Sequence, residues 1–208
     1  MFIIQKIEYK VIYKNLFLGI RQYDCDLSLE NFNDLIKIAY SLKEIKERPG
    51  YQSWIIDYSS KEYINYPVVK LLKESFINCC RDYFKIYDKE DNVVSWFYQD
   101  WKSNPHQGQS YWHKHADNCY SLSGVLYLSL PDESTTTYFS RNVNIINDTG
   151  FGESISTSDL IQLPPIIHKW FIYPSELPHR VGECGNTDER RICIAADYWF
   201  TMKPNLNI

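Results

Sequence analysis

A chain of 208 residues, 44% hydrophobic and 23% charged, has the length and make-up of one globular domain that buries its own core. Its net charge of −4 excludes a global attraction to nucleic acid or an anionic membrane. No run approaches the roughly 18 apolar residues of a membrane span. The six cysteines form neither a Cys-x-x-Cys pair nor a zinc-finger spacing, which points to free thiols and a cytoplasmic setting.

Residues 1 to 23 alternate loosely through Ile3, Ile7, Tyr9, Val11 and Tyr13, a pattern for one or two strands at a sheet edge. From Ser28 the period becomes helical (Leu29, Phe32, Leu35, Ile36, Ala39, Leu42), with Asp26 or Ser28 as N-cap and a stop at Arg48-Pro-Gly50. Trp54 to Tyr63 is short and mixed. Asn65 as cap and Pro67 near the first helical position open a second helix through Val68, Leu71, Leu72, Phe76, Cys79, Cys80, Tyr83 and Phe84, running to about Tyr87. Cys79 and Cys80 fall on its apolar stripe and read as small core residues. Asp88 to Asn92 reads as a charged turn.

From Val93 the chain reads as strands: 93 to 98, 111 to 117, 122 to 130, 159 to 163, 169 to 173 and 191 to 200. The polar segment 131 to 158 is long enough to be functional, with Tyr138-Phe139 as a possible short strand inside it. Helices first and strands after imply an α+β fold, helices packed on one face of a sandwich or jelly roll. The expected organisation is a single domain over 1–208. Residues 1–92 supply N-terminal strands and two supporting helices, and residues 93–200 the core.

Three potential metal ligands stand out. On an extended segment His115 and Asp117 project to one face with Ala116 turned away. His179 offers a further imidazole, and two histidines with one carboxylate hold non-haem Fe(II) while leaving positions open. His113 and His115 are an equally legal pair by spacing, with His113 otherwise a substrate or supporting contact. His106 and His168 read as a loop and a sheet-surface histidine. In the last strand Arg191, Cys193, Ala195, Asp197 and Trp199 share a face, so Asp197 is either a contact for a cationic or hydroxylated substrate or a turn or salt-bridge partner. Trp96, Trp101, Tyr111 and Trp112 are either pocket or core aromatics.

His115-x-Asp117 stands six residues before Ser123-Gly-Val-Leu-Tyr-Leu128. Tyr173-Pro-Ser-x-Leu-x-His179-x-Val181 and Glu189-Arg-Arg191-Ile-Cys-Ile194 follow. Together, over roughly residues 93 to 200, these motifs resemble the Fe(II)- and 2-oxoglutarate-dependent oxygenases, especially their prolyl-hydroxylase-like branch. The resemblance implies a double-stranded β-helix of jelly-roll or cupin type with N-terminal helices packed on one sheet. It implies that His115, Asp117 and His179 coordinate Fe(II), that Arg191 binds the distal carboxylate of 2-oxoglutarate, and that Tyr127 hydrogen-bonds the same carboxylate. A planar guanidinium suits such a carboxylate because it binds bidentately. Arg190 is the alternative arginine, since adjacent residues on a strand face opposite ways.

The implied activity is hydroxylation of an unactivated C–H of an amino acid, a peptidyl side chain or another small molecule, consuming O2 and releasing succinate and CO2. Relatives that chlorinate lack the carboxylate that Asp117 supplies, so hydroxylation is favoured over halogenation. A cupin-like metalloenzyme without 2-oxoglutarate is the first rival, and a non-catalytic barrel that binds a ligand is the second. Substrate choice would rest on loops 103 to 112 and 131 to 158, whose composition names no molecule.

Overall fold

The structure, a computed structural model, describes residues 19–41, 52–56, 66–85, 90–100, 114–115, 121–131, 137–140, 160–181 and 190–201. Among the described residues eleven elements follow one another: β1 (Arg21–Asp24), α1 (Leu29–Ser41), β2 (Gln52–Ile56), α2 (Pro67–Phe84), β3 (Glu90–Asp100), β4 (Leu122–Ser129), β5 (Thr137–Ser140), β6 (Leu160–Leu163), β7 (Lys169–Pro174), β8 (His179–Val181) and β9 (Arg191–Thr201). Six strands form one antiparallel sheet in the order β1-β7-β4-β9-β3-β2, and three form a second in the order β6-β5-β8. The expected α+β arrangement is present. Most of the strand pattern expected over residues 1 to 23, from Ile3 to Tyr13, lies outside the described residues; β1 at the end of that range pairs, among the described residues, with β7.

Strict alternation on the central strands separates two apolar clusters. Leu122, Leu126, Leu128, Trp170, Ile172, Ile192, Ile194, Ala196 and Tyr198 turn to the helices, where they meet Phe32, Leu35 and Ala39 of α1 and Val69, Leu72 and Phe76 of α2. Tyr127, Phe171, Tyr173 and Cys193 turn the other way and meet Phe139 and Leu163 of the small sheet. The large sheet is therefore the middle layer, covered by helices on one face and by the small sheet on the other. Helix α1 presents i, i+3 and i+7 to that core, as an amphipathic helix on a sheet must.

The helix ends repay attention to single residues. Ser28 Oγ accepts the Asn31 amide at 3.2 Å, so Ser28 rather than Asp26 caps α1; the stop expected at residues 48–50 lies outside the described residues. For α2 the capping position is Tyr66, which makes no side-chain cap bond, and Pro67 begins the helix. Asn65 lies outside the described residues. The helix stops at Phe84, short of the expected Tyr87, because Lys85 adopts φ 58° and its amide closes on the Asp82 carbonyl at 3.2 Å. A lysine in this left-handed position carries no sequence mark of the kind a glycine would give.

The turn expected at residues 88 to 92 is corrected in its second half. Glu90, Asp91 and Asn92 belong to β3, paired with Thr201, Phe200 and Trp199. Their polarity suits a strand because Asp91 accepts the Tyr198 hydroxyl at 2.7 Å and pairs with the Arg81 guanidinium of α2. The mixed segment near Trp54 contributes β2, and the short strand expected at Tyr138-Phe139 is β5. Cys25, Cys79, Cys80 and Cys193 are free thiols, while Cys119 and Cys184 lie outside the described residues. Among the described residues no helix is long and apolar enough to cross a membrane.

Two outcomes follow from this packing. A Cβ at Gly124 would stand 2.6 Å from the Phe76 ring and 2.8 Å from the Ile172 side chain. Gly124→Ala should therefore cost about 1–3 kcal/mol in denaturant unfolding. Burial pushes the Cys79 and Cys80 thiols well above the ordinary thiol range. Neither should be labelled by a thiolate-selective reagent in the native fold as the pH is raised to 9, and both should react once the chain is unfolded.

Candidate active site

The turn after β7 moves the chain from the large sheet to the small one. The Leu177 amide donates to the Pro174 carbonyl at 3.0 Å, and His179 then opens β8 directly across from Phe139. His179 is buried, with its Nδ1 3.0 Å from the Leu177 carbonyl oxygen. A carbonyl only accepts, so Nδ1 carries the proton and Nε2 the lone pair. The Tyr173 hydroxyl donates to that nitrogen at 3.2 Å. Burial, and secondarily the Asp197 carboxylate, holds the Tyr173 phenol well above its usual ionisation range, which keeps it a donor.

His115 arrives by a different route. It sits at a bend rather than on the extended strand expected over residues 111 to 117, and its backbone amide donates to the Ser175 carbonyl at 2.8 Å. Its orientation is therefore set by the turn after β7, not by a ladder of its own. His115 Nδ1 lies 2.9 Å from Asp197 Oδ2. A carboxylate accepts, so the proton again belongs on Nδ1 and the lone pair on Nε2. The two imidazole rings lie nearly parallel, 11° apart with centroids 5.2 Å from one another.

Beside the rings runs a row of side chains in register across three strands: Tyr173 of β7, Ser123 of β4 and Asp197 of β9. Ser123 Oγ donates to Asp197 Oδ1 at 2.5 Å. Its single proton thus spent, Ser123 accepts from the Ser175 hydroxyl 3.0 Å away. Ser123, Ser175 and Asp197 are all essentially inaccessible to solvent.

Further along the same face of β9, past Ala195 and Cys193, stands the buried Arg191. Tyr127 lies directly across from Cys193, with its hydroxyl 2.5 Å from Thr137 Oγ1 of β5. The adjacent Arg190 turns outward, its guanidinium 4.8 Å from the Tyr40 ring centroid on α1. His168 stacks on Phe32 at 3.9 Å between centroids, a packing role. Trp96 is half-buried opposite Ala195.

Of the residues singled out from the sequence, His115 and His179 converge, while Arg191 and Tyr127 share their side of the large sheet. Asp117, His113, His106, Trp101, Tyr111, Trp112, loop 103–112 and most of loop 131–158 lie outside the described residues. Among the described residues no group of three His, Cys, Asp or Glu is arranged to hold a metal ion. The two imidazoles nonetheless suit one in their chemistry, each with Nδ1–H committed to an acceptor. Asp197, on the inward face as alternation places it, takes the salt-bridge alternative: it bonds His115 and Ser123 rather than standing ready for substrate. Tyr173, Ser123 and Ser175 were visible only as letters of a motif. Ser175→Ala removes the donor that Ser123 relies on and should cost about 1 kcal/mol in denaturant unfolding.

Residues 99–197 match a family model described as "Putative 2OG-Fe(II) oxygenase". No curated protein matches the chain by sequence. Among solved structures, a prolyl-4-hydroxylase of Pseudomonas putida superposes with a TM-score of 0.57 at 14% identity, covering 87% of this chain and 92% of that one. HygX of Streptomyces hygroscopicus, solved with nickel, 2-oxoglutarate and hygromycin B, gives 0.59 at 13% identity, covering 88% and 83%. SnoN, a non-heme alpha-ketoglutarate-dependent epimerase from nogalamycin biosynthesis, gives 0.60 at 13%, covering 87% and 76%. At such identities the likenesses speak for the fold. Residues 99–197 thus carry the sequence pattern of a 2OG-Fe(II) oxygenase domain on the fold those structures share, and enzymes of this kind work with Fe(II), 2-oxoglutarate and O2.

Proposed function

We propose that this enzyme is a hydroxylase of an unactivated C–H bond in an amino acid, a peptidyl side chain or another small molecule. We read its two sheets as the walls of a double-stranded β-helix spanning residues 93–200 within a single domain, working in the cytoplasm. His115, Asp117 and His179 are the proposed Fe(II) ligands. The observation that carries the reading is the convergence of His115 and His179 as near-parallel rings, each with Nδ1–H held by an acceptor so that Nε2 bears the lone pair. Fe(II), when bound, supplies the oxidising chemistry by which R–H, O2 and 2-oxoglutarate become R–OH, succinate and CO2.

The chain's own residues do the rest. Arg191, buried at the far end of the same strand face, binds the distal carboxylate through its two-pronged guanidinium, and Tyr127 adds a hydroxyl beside it. The Leu177 carbonyl fixes the rotation of the His179 ring. Tyr173, protonated by virtue of its burial, holds His179 Nε2 through its hydroxyl and would give up that lone pair to the metal, leaving a hydroxyl donor at the edge of the site. The apolar cluster around Phe139, Phe171 and Leu163 excludes water from the same side of the sheet.

The test is anaerobic addition of Fe(II) and 2-oxoglutarate, followed through the metal-to-ligand charge-transfer absorption, then succinate release in the presence of amino acids and peptides. A substrate gaining one oxygen in mass supports hydroxylation. Succinate release with an unchanged substrate mass would mean an epimerase-like outcome, the activity named for SnoN. Arg191→Ala should weaken 2-oxoglutarate binding by roughly 100-fold, since it removes a pair of charge-assisted hydrogen bonds. Unchanged turnover in that variant would transfer the chain to metalloenzymes that do without 2-oxoglutarate.

A further inference from the structure

We infer that Asp197 is a positioning residue: it holds His115 in the Nδ1–H tautomer so that Nε2 presents its lone pair to the metal, and Ser123 and Ser175 hold Asp197 in turn. The inference rests on the reading of His115 as a ligand.

The geometry is specific. Asp197 is 1% exposed, and each of its oxygens faces a donor: Oδ2 takes the His115 Nδ1–H at 2.9 Å and Oδ1 takes the Ser123 hydroxyl at 2.5 Å. A buried carboxylate without such donors would be strongly disfavoured, so the two bonds fix both the position and the rotation of the group. Proton counting gives the chain a direction. Ser175 donates to Ser123, Ser123 to Asp197, and His115 to Asp197, so two donors meet the carboxylate directly and the third supports it through Ser123. The backbone of His115 is tied to the same place, because its amide bonds the Ser175 carbonyl at 2.8 Å. Main chain and ring are thus anchored to one turn and one strand row, although His115 itself lies at a bend.

This constraint matters because neutral imidazole in water prefers the proton on Nε2, the nitrogen that must be bare to bind a metal. The neighbouring histidine solves the same problem differently, through the Leu177 carbonyl. A carboxylate on a ligand imidazole also raises the basicity of the opposite nitrogen, and losing such a partner commonly weakens metal affinity 10–100-fold. Asp197 touches neither metal nor substrate in this account; it acts through His115.

The experiment uses the full chain in two measurements. Long-range proton–nitrogen NMR of the metal-free protein, at a pH where both imidazoles are neutral, reads the tautomer of each ring. The wild type should show Nδ1–H on His115 and on His179. In Asp197→Ala the His115 pattern should move to Nε2–H while His179 stays unchanged, a selective effect that general loosening of the fold would not give. Co(II) binding to Asp197→Ala should be 10–100-fold weaker than to the wild type. Asp197→Asn, nearly the same shape and still able to accept one hydrogen bond, keeps the test alive if the alanine variant does not fold, and should lie between the two. Nε2–H on His115 in the wild type, or Co(II) affinity of Asp197→Ala within about 3-fold of wild type, would overturn the inference. The tautomer is read without metal and the wild-type Co(II) titration tests the functional reading, so the two ideas fail separately.

Discussion

Removing a carboxylate from water is affordable to a fold only when donors replace the lost solvent, and Asp197 is where this molecule meets that demand. Its donors come from a bend (His115) and from the central strand (Ser123), and Ser123 in turn draws on the turn after β7 (Ser175). Asp197 and Ser175 lie 74 and 52 positions from Ser123 in the chain, and Asp197 lies 82 from His115. Because the carboxylate is satisfied only when His115 and Ser123 are both in place, the network couples the assembly of the large sheet to the orientation of an imidazole that has no strand of its own.

The two apolar clusters explain why such a network can exist on this sheet. Alternation sends every second residue of β4, β7 and β9 toward the helices, where Leu126, Ile172, Ile194 and Phe76 make a dry core. The intervening residues face the small sheet, and there polar groups are tolerated because the rows line up: Tyr173, Ser123 and Asp197 across one level, Tyr127 beside Cys193 at another. The helical layer carries stability and the opposite face carries chemistry. Gly124 shows how tightly they share one backbone, since on the helix side there is no room for even a methyl group.

His179 and His115 reach a common orientation by unlike means. One sits at the head of a short strand and is fixed by a carbonyl two residues back, a local interaction. The other is fixed by a carboxylate 82 positions away, an interaction that exists only after β4 has been enclosed by β7 and β9. A local bond is written in the order of residues; a distant one is written in the topology.

The sequence by itself determined the α+β class, most of the strands from β4 to β9 and which residues of β9 share a face, because side-chain alternation and helical periodicity are properties of consecutive residues. Its motifs also singled out His115, His179, Tyr127 and Arg191. It misplaced the end of α2, where a lysine takes the conformation a glycine usually signals, and it read Glu90 to Asn92 as a turn because the partners of Asp91 lie on α2 and β9. Only the tertiary structure decided that Arg191 faces inward while Arg190 stacks on Tyr40, that His115 hangs from the Ser175 carbonyl, and that Asp197 serves a histidine. Those outcomes depend on which strands become neighbours and in what register, and no period within a single strand encodes its partner.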